Sequence, residues 1–316
     1  MSQPHEHGAV DPHIVLSAVH RPDHWPQAPS GASETTRPSW RGPSDTYVQT
    51  GPGGFEAAAF WRPPKVECVP VQPCSLADVL DLTGNDPFVR SSTRYRSGSA
   101  WRDSRGSVAW TNLDPEGSVR QLAALGEPPT VAELVATVLR ETDHIPRLSL
   151  PRGTFTYLPT WIAVDRTTDW DFRSTTAPPP QQAGEDRVGW LDDGETGDIK
   201  DLLTEANPET STWPGEPKAR RWAGIRGRDE HLDVCLADTS GVEGVGHFSA
   251  ISTRPEARGR GLASAVTAWA TRQIFVEGYD VVTLGMYADN VAAQRTYGRL
   301  GFIEHHRFTS GVLAKT

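Results

Sequence analysis

The order of hydrophobic and polar positions is clearest in the last 130 residues of the chain. From Leu262 to Ile274 the apolar side chains recur at steps of three and four, which predicts a helix. Stretches rich in β-branched and apolar residues predict strands, and Gly301 stands where the glycine after a helix C-terminus belongs. The predicted strands are 188–191, 221–225, 232–236, 245–253, 280–287 and one after Gly301, and the predicted helices are 198–206, 262–274 and 291–300. This β-α-β-β-β-α-β-α-β order predicts an α/β fold, a mixed sheet with helices over it.

The first half of the chain has fewer signals of regular structure. Ser75 favours a capped helix that reaches Leu82, and residues 106–111 favour a strand. A further helix is predicted near residue 130, with Thr130 as its N-cap and Glu133 completing a capping box. These elements predict a second α/β domain in front of the first one described.

Proline and glycine divide the chain into segments. Seven prolines in the first fifty positions, without a helical or strand period, predict a flexible tail over 1–45. Five of the ten histidines lie there, and we interpret them as part of this tail rather than as a metal site. Beyond strands predicted at 153–158 and 161–164, residues 174–184 are typical of an extended linker, with three prolines and no apolar period. The predicted domains are therefore 46–175 and 186–316.

Composition excludes several classes of protein. Hydrophobic residues make up 37% of the 316 positions, enough to bury a core, which excludes wholesale disorder. No apolar run approaches the ~18 residues of a membrane span, and no signal peptide is recognisable, so we expect neither membrane insertion nor secretion. The three cysteines (Cys68, Cys74 and Cys235) lack the spacing of metal ligands and are expected to be free thiols in the cytoplasm.

Charge is unevenly distributed along the chain. The net charge of -9 argues against nucleic-acid binding. From residue 251 onward, however, eight Arg and Lys residues stand against five Asp and Glu residues. A locally basic end on an acidic protein favours a small ligand that carries phosphate.

One loop contains the strongest candidate chemistry. It joins the strand predicted at 245–253 to the helix that starts at Leu262, and it contains Gly259 and Gly261 between arginines. Glycines let backbone amides approach a ligand closely, and a helix N-terminus presents unpaired amides and the positive end of its dipole. The loop is typical of a pyrophosphate cradle, although an ordinary strand-to-helix turn uses the same glycines.

Two motifs at this end of the chain match one family. Arg258, Gly261 and Ala263 match the Arg/Gln-x-x-Gly-x-Gly/Ala loop of the GNAT superfamily of acetyl-CoA-dependent N-acetyltransferases. That family's downstream pattern, Asn-x-x-Ala-x-x-x-Tyr-x-x-x-Gly-Phe, is matched by Asn290, Ala293, Tyr297, Gly301 and Phe302. The chain from about residue 186 thus resembles the GNAT superfamily, and the resemblance implies a GNAT-like acyltransferase fold there.

The resemblance implies a role for each matched residue. Backbone groups of Ile251 and Thr253 are expected to pair with the pantetheine arm of acetyl-CoA or another acyl-CoA. Asn290 is expected to contact the cofactor near its pantetheine, and Tyr297 to protonate the departing thiolate. For Tyr297 the alternative is a tyrosine that only packs on the sheet. The residues expected to hold the pyrophosphate through their amides are Arg258, Gly259, Arg260, Gly261, Leu262 and Ala263.

A base is needed as well, because an alkyl ammonium with a pKa near ~10 is not a nucleophile at neutral pH. The two-residue strand period predicts one shared face for His247, Ser249, Ile251 and Thr253. Serotonin-acetylating members of the superfamily carry a histidine at a similar position, which makes His247 a candidate base or one end of a water relay. A structural histidine is the alternative, and Glu243 before the strand is a weaker candidate for the base.

The function predicted from these features is acyl-CoA-dependent N-acyl transfer to the amine of a small molecule by direct attack. Two alternatives stay open: an acyltransferase that uses a carrier-protein thioester, and a non-catalytic acyl-CoA sensor. The first half is either a degenerate GNAT repeat or an unrelated α/β domain. As a repeat, its strand 106–111 and helix 130–140 would be the equivalent pair, separated by residues 114–120, which lack the arginine-glycine loop.

Overall fold

The computed structural model describes residues 70–92, 96–114, 116–142 and 144–314, and the predicted tail over 1–45 lies outside these ranges. Within them, twelve strands form one sheet. The strands are β1 (Gln72–Cys74), β2 (Arg96–Arg102), β3 (Val108–Leu113), β4 (Val119–Leu125), β5 (Arg147–Pro151), β6 (Val164–Thr175), β7 (Gly189–Leu191), β8 (Arg221–Arg226), β9 (Leu232–Asp238), β10 (Val245–Thr253), β11 (Val281–Tyr287) and β12 (Ile303–Leu313). The helices are α1 (Leu76–Leu82), α2 (Pro87–Ser92), α3 (Pro128–Glu141), α4 (Thr196–Ala206), α5 (Leu262–Val276) and α6 (Val291–Arg299).

The strand order shows that the two halves of the sheet are topological repeats. The order is β1-β2-β3-β4-β5-β12-β6-β11-β10-β9-β8-β7. In each half the fourth and fifth strands are parallel and flank a long helix, α3 in the first half and α5 in the second. The sixth strands are exchanged, so that β12 pairs with β5 and β6 pairs with β11. This exchange joins both halves into one sheet.

Helices cover both faces of the second half. Val234 and Leu236 of β9 pack in one cluster with α5, whereas the alternate residues Cys235 and Ala237 pack in another with α4. Successive strand residues point to opposite faces, so α5 and α4 lie on opposite sides of the sheet. We call these sides the α5 face and the α4 face.

The element order predicted for the second half is confirmed, from β7 to β12. The helix predicted from Leu262 begins at that residue, and Gly301 has a φ of 84° directly after the last helix and its C-cap. The capped helix predicted at Ser75 is confirmed too, because the Ser75 hydroxyl accepts from the amide of Asp78. Local sequence signals therefore predict these segments well.

Other predictions for the first half were wrong. The helix assigned to a Thr130 cap begins at Pro128 with Glu127 at the N-cap, since proline is favoured in the first helical turn. No strand forms at 153–158, because Gly153 opens a 3₁₀ turn with a φ of 93°. The strand predicted at 161–164 begins at Val164 and runs to Thr175, and thus includes the first two residues of the predicted linker.

The boundary predicted between the domains 46–175 and 186–316 stays a prediction. Strands on either side of it are adjacent in the sheet, since β6 pairs with β11 over six residues. The longest helix in the described ranges has 15 residues, and none of those helices meets the length and hydropathy that a bilayer crossing requires.

Candidate acyl-CoA site

A wedge opens between the two parallel strands of the second half. Pairing between β10 and β11 runs from Val245 and Val281 to Phe248 and Leu284. Beyond this point β10 continues to Thr253 on β9, while β11 continues on β6. The strands separate there, and their inner edges face the gap. Such edges are suited to hydrogen bonding with an extended chain of amide groups.

A β-bulge in β10 lies at this wedge. Between the pairs Ser249–Ala237 and Ser252–Cys235, β10 has one residue more than β9. Ala250 has a φ of 50°, a left-handed conformation that costs free energy for any residue with a Cβ. The extra residue bends β10 and moves it away from regular pairing.

The bulge also changes which side chains share a face. Phe248 and Ile251 both pack in the cluster of the α5 face, whereas Ala250 packs in the cluster of the α4 face. On the α4 side, the Ser249 hydroxyl bonds Thr212, which follows α4. The prediction that His247, Ser249, Ile251 and Thr253 share one face was therefore wrong, because Ala250 reverses the alternation.

The loop predicted to hold phosphate joins β10 to α5 as expected. Gly259 and Gly261 have φ values of 74° and 78°, and Gly261 is the N-cap of α5. The first hydrogen bond of the helix runs from the Ala265 amide to the Gly261 carbonyl (3.0 Å). The amides of the first turn that precede Ala265 therefore have no carbonyl partner within the helix. A Cβ added at either glycine would meet no atom within 4 Å. The space in front of the loop is open, which fits an anion held by amides.

Three arginines surround this loop in different ways. Arg254 forms an ion pair with Glu205 and donates to the Leu232 carbonyl. Arg258 donates from Nε to the Thr253 carbonyl (3.2 Å), which ties the loop to the end of β10. Arg260 is half exposed, with Asp233 at 3.7 Å. The positive charge is thus fixed beside the loop, and Arg260 reaches furthest into solvent.

Tyr297 on α6 is fully buried and packs edge-on against Phe302, with ring centroids 6.1 Å apart. Its hydroxyl has no hydrogen-bond partner among the described residues. A buried hydroxyl without a partner costs free energy, and a ligand atom that reached the Tyr297 hydroxyl would supply the missing hydrogen-bond partner. Burial raises the pKa of Tyr297 well above its ordinary value, so the phenol keeps its proton throughout the neutral range.

Asn290 has a structural contact besides its predicted one. Its side-chain Oδ1 accepts from the Ala293 amide (3.0 Å) and caps α6. The cap sets where α6 begins and thereby helps to place Tyr297 two turns later.

His247 is buried, and its Nδ1 lies 2.7 Å from the hydroxyl of Thr283 on β11. The other candidate base, Glu243, is an exposed turn residue. Sequence reasoning missed two polar residues after α4: Thr212, which bonds Ser249, and Asn207, which bonds Ser252 at 3.2 Å. The run of polar residues after α4 was visible in the sequence, but its burial against β10 was not.

The first half has a different loop at the equivalent place. The strand before α3 is β4, not the strand predicted at 106–111, and the loop between them is only Gly126 and Glu127. A groove of about 680 Å³ lies there, and its lining includes Glu127, Arg152 and Glu304. A carboxylate at the N-cap of α3 thus replaces the arginine-glycine loop.

Comparison with known proteins agrees with this geometry. Residues 230–309 match the family model of the FR47-like proteins. A mycothiol acetyltransferase of Streptomyces avermitilis is 40% identical over 63 residues, 20% of each chain. Another, of Mycobacterium leprae, is 27% identical over 150 residues, which cover 40% of this chain and 48% of that protein. The chain thus spans at most about half the length of these relatives.

Solved structures share the fold. A GCN5-related N-acetyltransferase of Sphaerobacter thermophilus superposes with a TM-score of 0.50 at 14% identity, over 78% of this chain and 95% of the other. A Drosophila protein superposes with a TM-score of 0.53 at 13% identity, over 77% and 98%. The C-terminal region of this chain, with its wedge and its arginine-glycine loop, therefore has the fold of the GCN5-related N-acetyltransferases, and residues 230–309 match the FR47-like family model.

Proposed function

We propose that this protein transfers an acetyl or other acyl group from acyl-CoA to the amine of a small molecule, by direct attack in a ternary complex. The observation that carries the proposal is the wedge between β10 and β11, which opens beside the first turn of α5. The edges of β10 and β11 can therefore hydrogen-bond the amide groups of the pantetheine arm, and the amides at the start of α5 can bind the phosphates of the same ligand.

The residues present fit such a ligand. The amides from Arg258 to Ala263 would hold the pyrophosphate, because the space in front of Gly259 and Gly261 is open and the helix dipole favours an anion. Backbone groups of Ile251 and Thr253 would bind the pantetheine arm, and Asn290 would lie close to it. Bound acyl-CoA would supply the activated thioester.

Groups of the chain itself would then stabilise the developing negative charge and transfer the protons. An amide near Ile251 would donate to the carbonyl oxygen as negative charge develops on it. Tyr297 would donate its proton toward the departing sulfur, and its raised pKa keeps that proton in place until the sulfur becomes negative. His247 would accept the proton of the attacking amine, directly or through water. A sensor that only binds acyl-CoA would have no use for a buried hydroxyl at Tyr297.

The acceptor is proposed by analogy. The curated relatives are named mycothiol acetyltransferases, which supports a small-molecule acceptor rather than a protein. The topology that both halves share supports the interpretation that the first half is a GNAT repeat without a phosphate-binding loop. Such a repeat would line the side of the site where the acceptor amine binds.

The experiment is a thiol-release assay with the full chain. Acetyl-CoA and longer acyl-CoAs serve as donors, a panel of small amines as acceptors, and acyl-pantetheine on a carrier protein as the competing donor. We expect amine-dependent thiol release from a free acyl-CoA. Tight acyl-CoA binding without release for any amine would favour the sensor, and release from the carrier protein alone would favour the other donor.

A further inference from the structure

We infer that Thr283 is a positioning residue that confines proton transfer by His247 to one ring nitrogen, Nε2. This inference rests on the proposed role of His247 as the base. It names the residue that sets the chemical form of that base before any ligand binds.

Two hydrogen bonds carry the inference. Thr283 on β11 is the direct partner of His247 on β10 in the parallel ladder. Its hydroxyl lies 2.7 Å from Nδ1 of His247, and the same hydroxyl donates to the Gly246 carbonyl at 2.9 Å. All three groups are in the interior, with Thr283 fully buried and His247 5% exposed. Bulk water is thus excluded as a substitute partner for the Thr283 hydroxyl.

Counting hydrogens assigns the tautomer. A threonine hydroxyl has a single hydrogen, and a backbone carbonyl can only accept. Because Thr283 gives its hydrogen to the Gly246 carbonyl, its oxygen can only accept from the histidine ring. Nδ1 of His247 therefore has to be protonated. In the neutral ring the lone pair then resides on Nε2.

The same arrangement suits the protonated ring. When the ring takes up a proton at Nε2, the Nδ1–H bond to Thr283 is retained. Nε2 is also the ring nitrogen further from the backbone. The backbone of His247 is held as well, because its amide donates to the Ser240 hydroxyl (3.0 Å) and its carbonyl accepts from the Thr239 amide (2.8 Å).

The test is the nitrogen-15 spectrum of the histidine rings in the full chain, with His247 assigned by its loss in His247→Gln. At a pH where the ring is neutral, we expect a protonated Nδ1 and an unprotonated Nε2. Thr283→Val removes the acceptor and should move the ring toward the Nε2–H form. Turnover should then fall at least about tenfold, with the dissociation constant for acetyl-CoA unchanged.

Two variants serve as controls. Thr283→Ser keeps a hydroxyl at the same place and should restore both the spectrum and the turnover. Thr267→Val makes the same change at a buried threonine of α5 whose hydroxyl has no hydrogen-bond partner among the described residues, and it should change neither.

The outcomes separate the two proposals. An unprotonated Nδ1 in the parent protein would overturn the role of Thr283, and this spectrum can be recorded even if Thr283→Val does not fold. An unchanged tautomer in a folded Thr283→Val protein would overturn it as well. A changed tautomer with full turnover would instead overturn the role of His247 as the base, and with it the catalytic meaning of Thr283.

Discussion

Trp170 and Phe308 stand directly opposite each other at the centre of the sheet, with their rings stacked at a centroid distance of 4.7 Å. Trp170 lies on the last strand of the first half, and Phe308 on the last strand of the second. Around this pair the sheet is symmetric, since Phe308 pairs with the end of β5 and Trp170 pairs with the end of β11. Two repeats of one topology therefore meet around this stacked pair, which Phe88 of the first half also contacts through Phe308. The arginine-glycine loop occurs in only one of the two repeats.

The role of Tyr297 is tested by Tyr297→Phe. If the hydroxyl donates to the departing sulfur, turnover should fall by ~10²–10⁴-fold, the range for a positioned acid. Affinity for acetyl-CoA should barely change, because the residues proposed to bind the phosphates and the pantetheine lie elsewhere. The thermal midpoint should not fall, since the variant removes a buried hydroxyl that has no hydrogen-bond partner among the described residues. Turnover, calorimetric affinity and thermal midpoint are measured on one preparation.

The pH profile gives a second test of Tyr297. Because burial raises its pKa above the ordinary value of about 10, the alkaline loss of activity should begin above pH 10 in the parent enzyme. The residual activity of Tyr297→Phe should not show this decrease at alkaline pH. A variant that binds normally and turns over at the parent rate would show that the proton comes from solvent.

The cradle is tested by Gly261→Asp. The substitution adds a side chain and a negative charge in the space where phosphates are expected, and it strains a residue with a φ of 78°. Acetyl-CoA affinity should weaken at least about tenfold, or ~1.4 kcal/mol, by calorimetry.

Gly278→Asp is the matched control for the cradle. Gly278 lies just beyond the other end of α5, has a φ of 91° and also faces open space. Its variant has the same change in charge and similar strain far from the loop, so it should bind acetyl-CoA like the parent. Equal affinities for the two folded variants would contradict the assignment of the phosphate site.

Binding stoichiometry tests the difference between the two halves. The loop at the start of α3 consists of Gly126 and Glu127, and a carboxylate at a helix N-cap repels a phosphate. We therefore expect one CoA per chain in native mass spectrometry. Two tightly bound CoA molecules per chain would show that the groove of the first half binds CoA without a cradle.

Acid sensitivity should depend on Asp86, which joins α2 to β12. Its carboxylate accepts from the Phe88 amide (2.8 Å) and lies 2.8 Å from Nε2 of His306. Burial by itself raises the pKa of Asp86, but the hydrogen bonds and the charge of His306 outweigh burial, so the net pKa is lowered. A lowered pKa in the folded state means that this stabilisation is present above about pH 4 and is lost as the pH falls further.

Asp86→Asn should accordingly lower the free energy of unfolding by about 1–3 kcal/mol at pH 7. The difference from the parent should be smaller at pH 3, because the carboxylate of the unfolded parent is mostly protonated there and the contribution of the lowered pKa to stability has begun to fall. Urea unfolding at both pH values measures this. Asp81→Asn, at an exposed position of α1, is the control and should stay within about 0.5 kcal/mol of the parent. A constant difference at both pH values would contradict the linkage to Asp86.

The sequence by itself determined most of the secondary-structure elements of the second half and their order. Its helices and strands follow from periods of about four and of two residues, which local side-chain patterns express directly. The loop from Arg258 to Ala263 and the motif from Asn290 to Phe302 are defined by short-range spacing, so the resemblance to the GNAT superfamily was recognisable before any fold was known.

Only the tertiary structure decided how these parts meet. The exchange of β6 and β12 depends on pairing between residues more than 100 positions apart, which no local pattern encodes. The bulge at Ala250 follows from the register between β9 and β10, and it placed Ile251 opposite to the face that alternation predicted. The hydrogen bond from His247 to Thr283 and the burial of the Tyr297 hydroxyl arise likewise from packing between distant elements. A sequence shows which groups are present, but whether a group is buried and which partner it meets depends on the whole sheet.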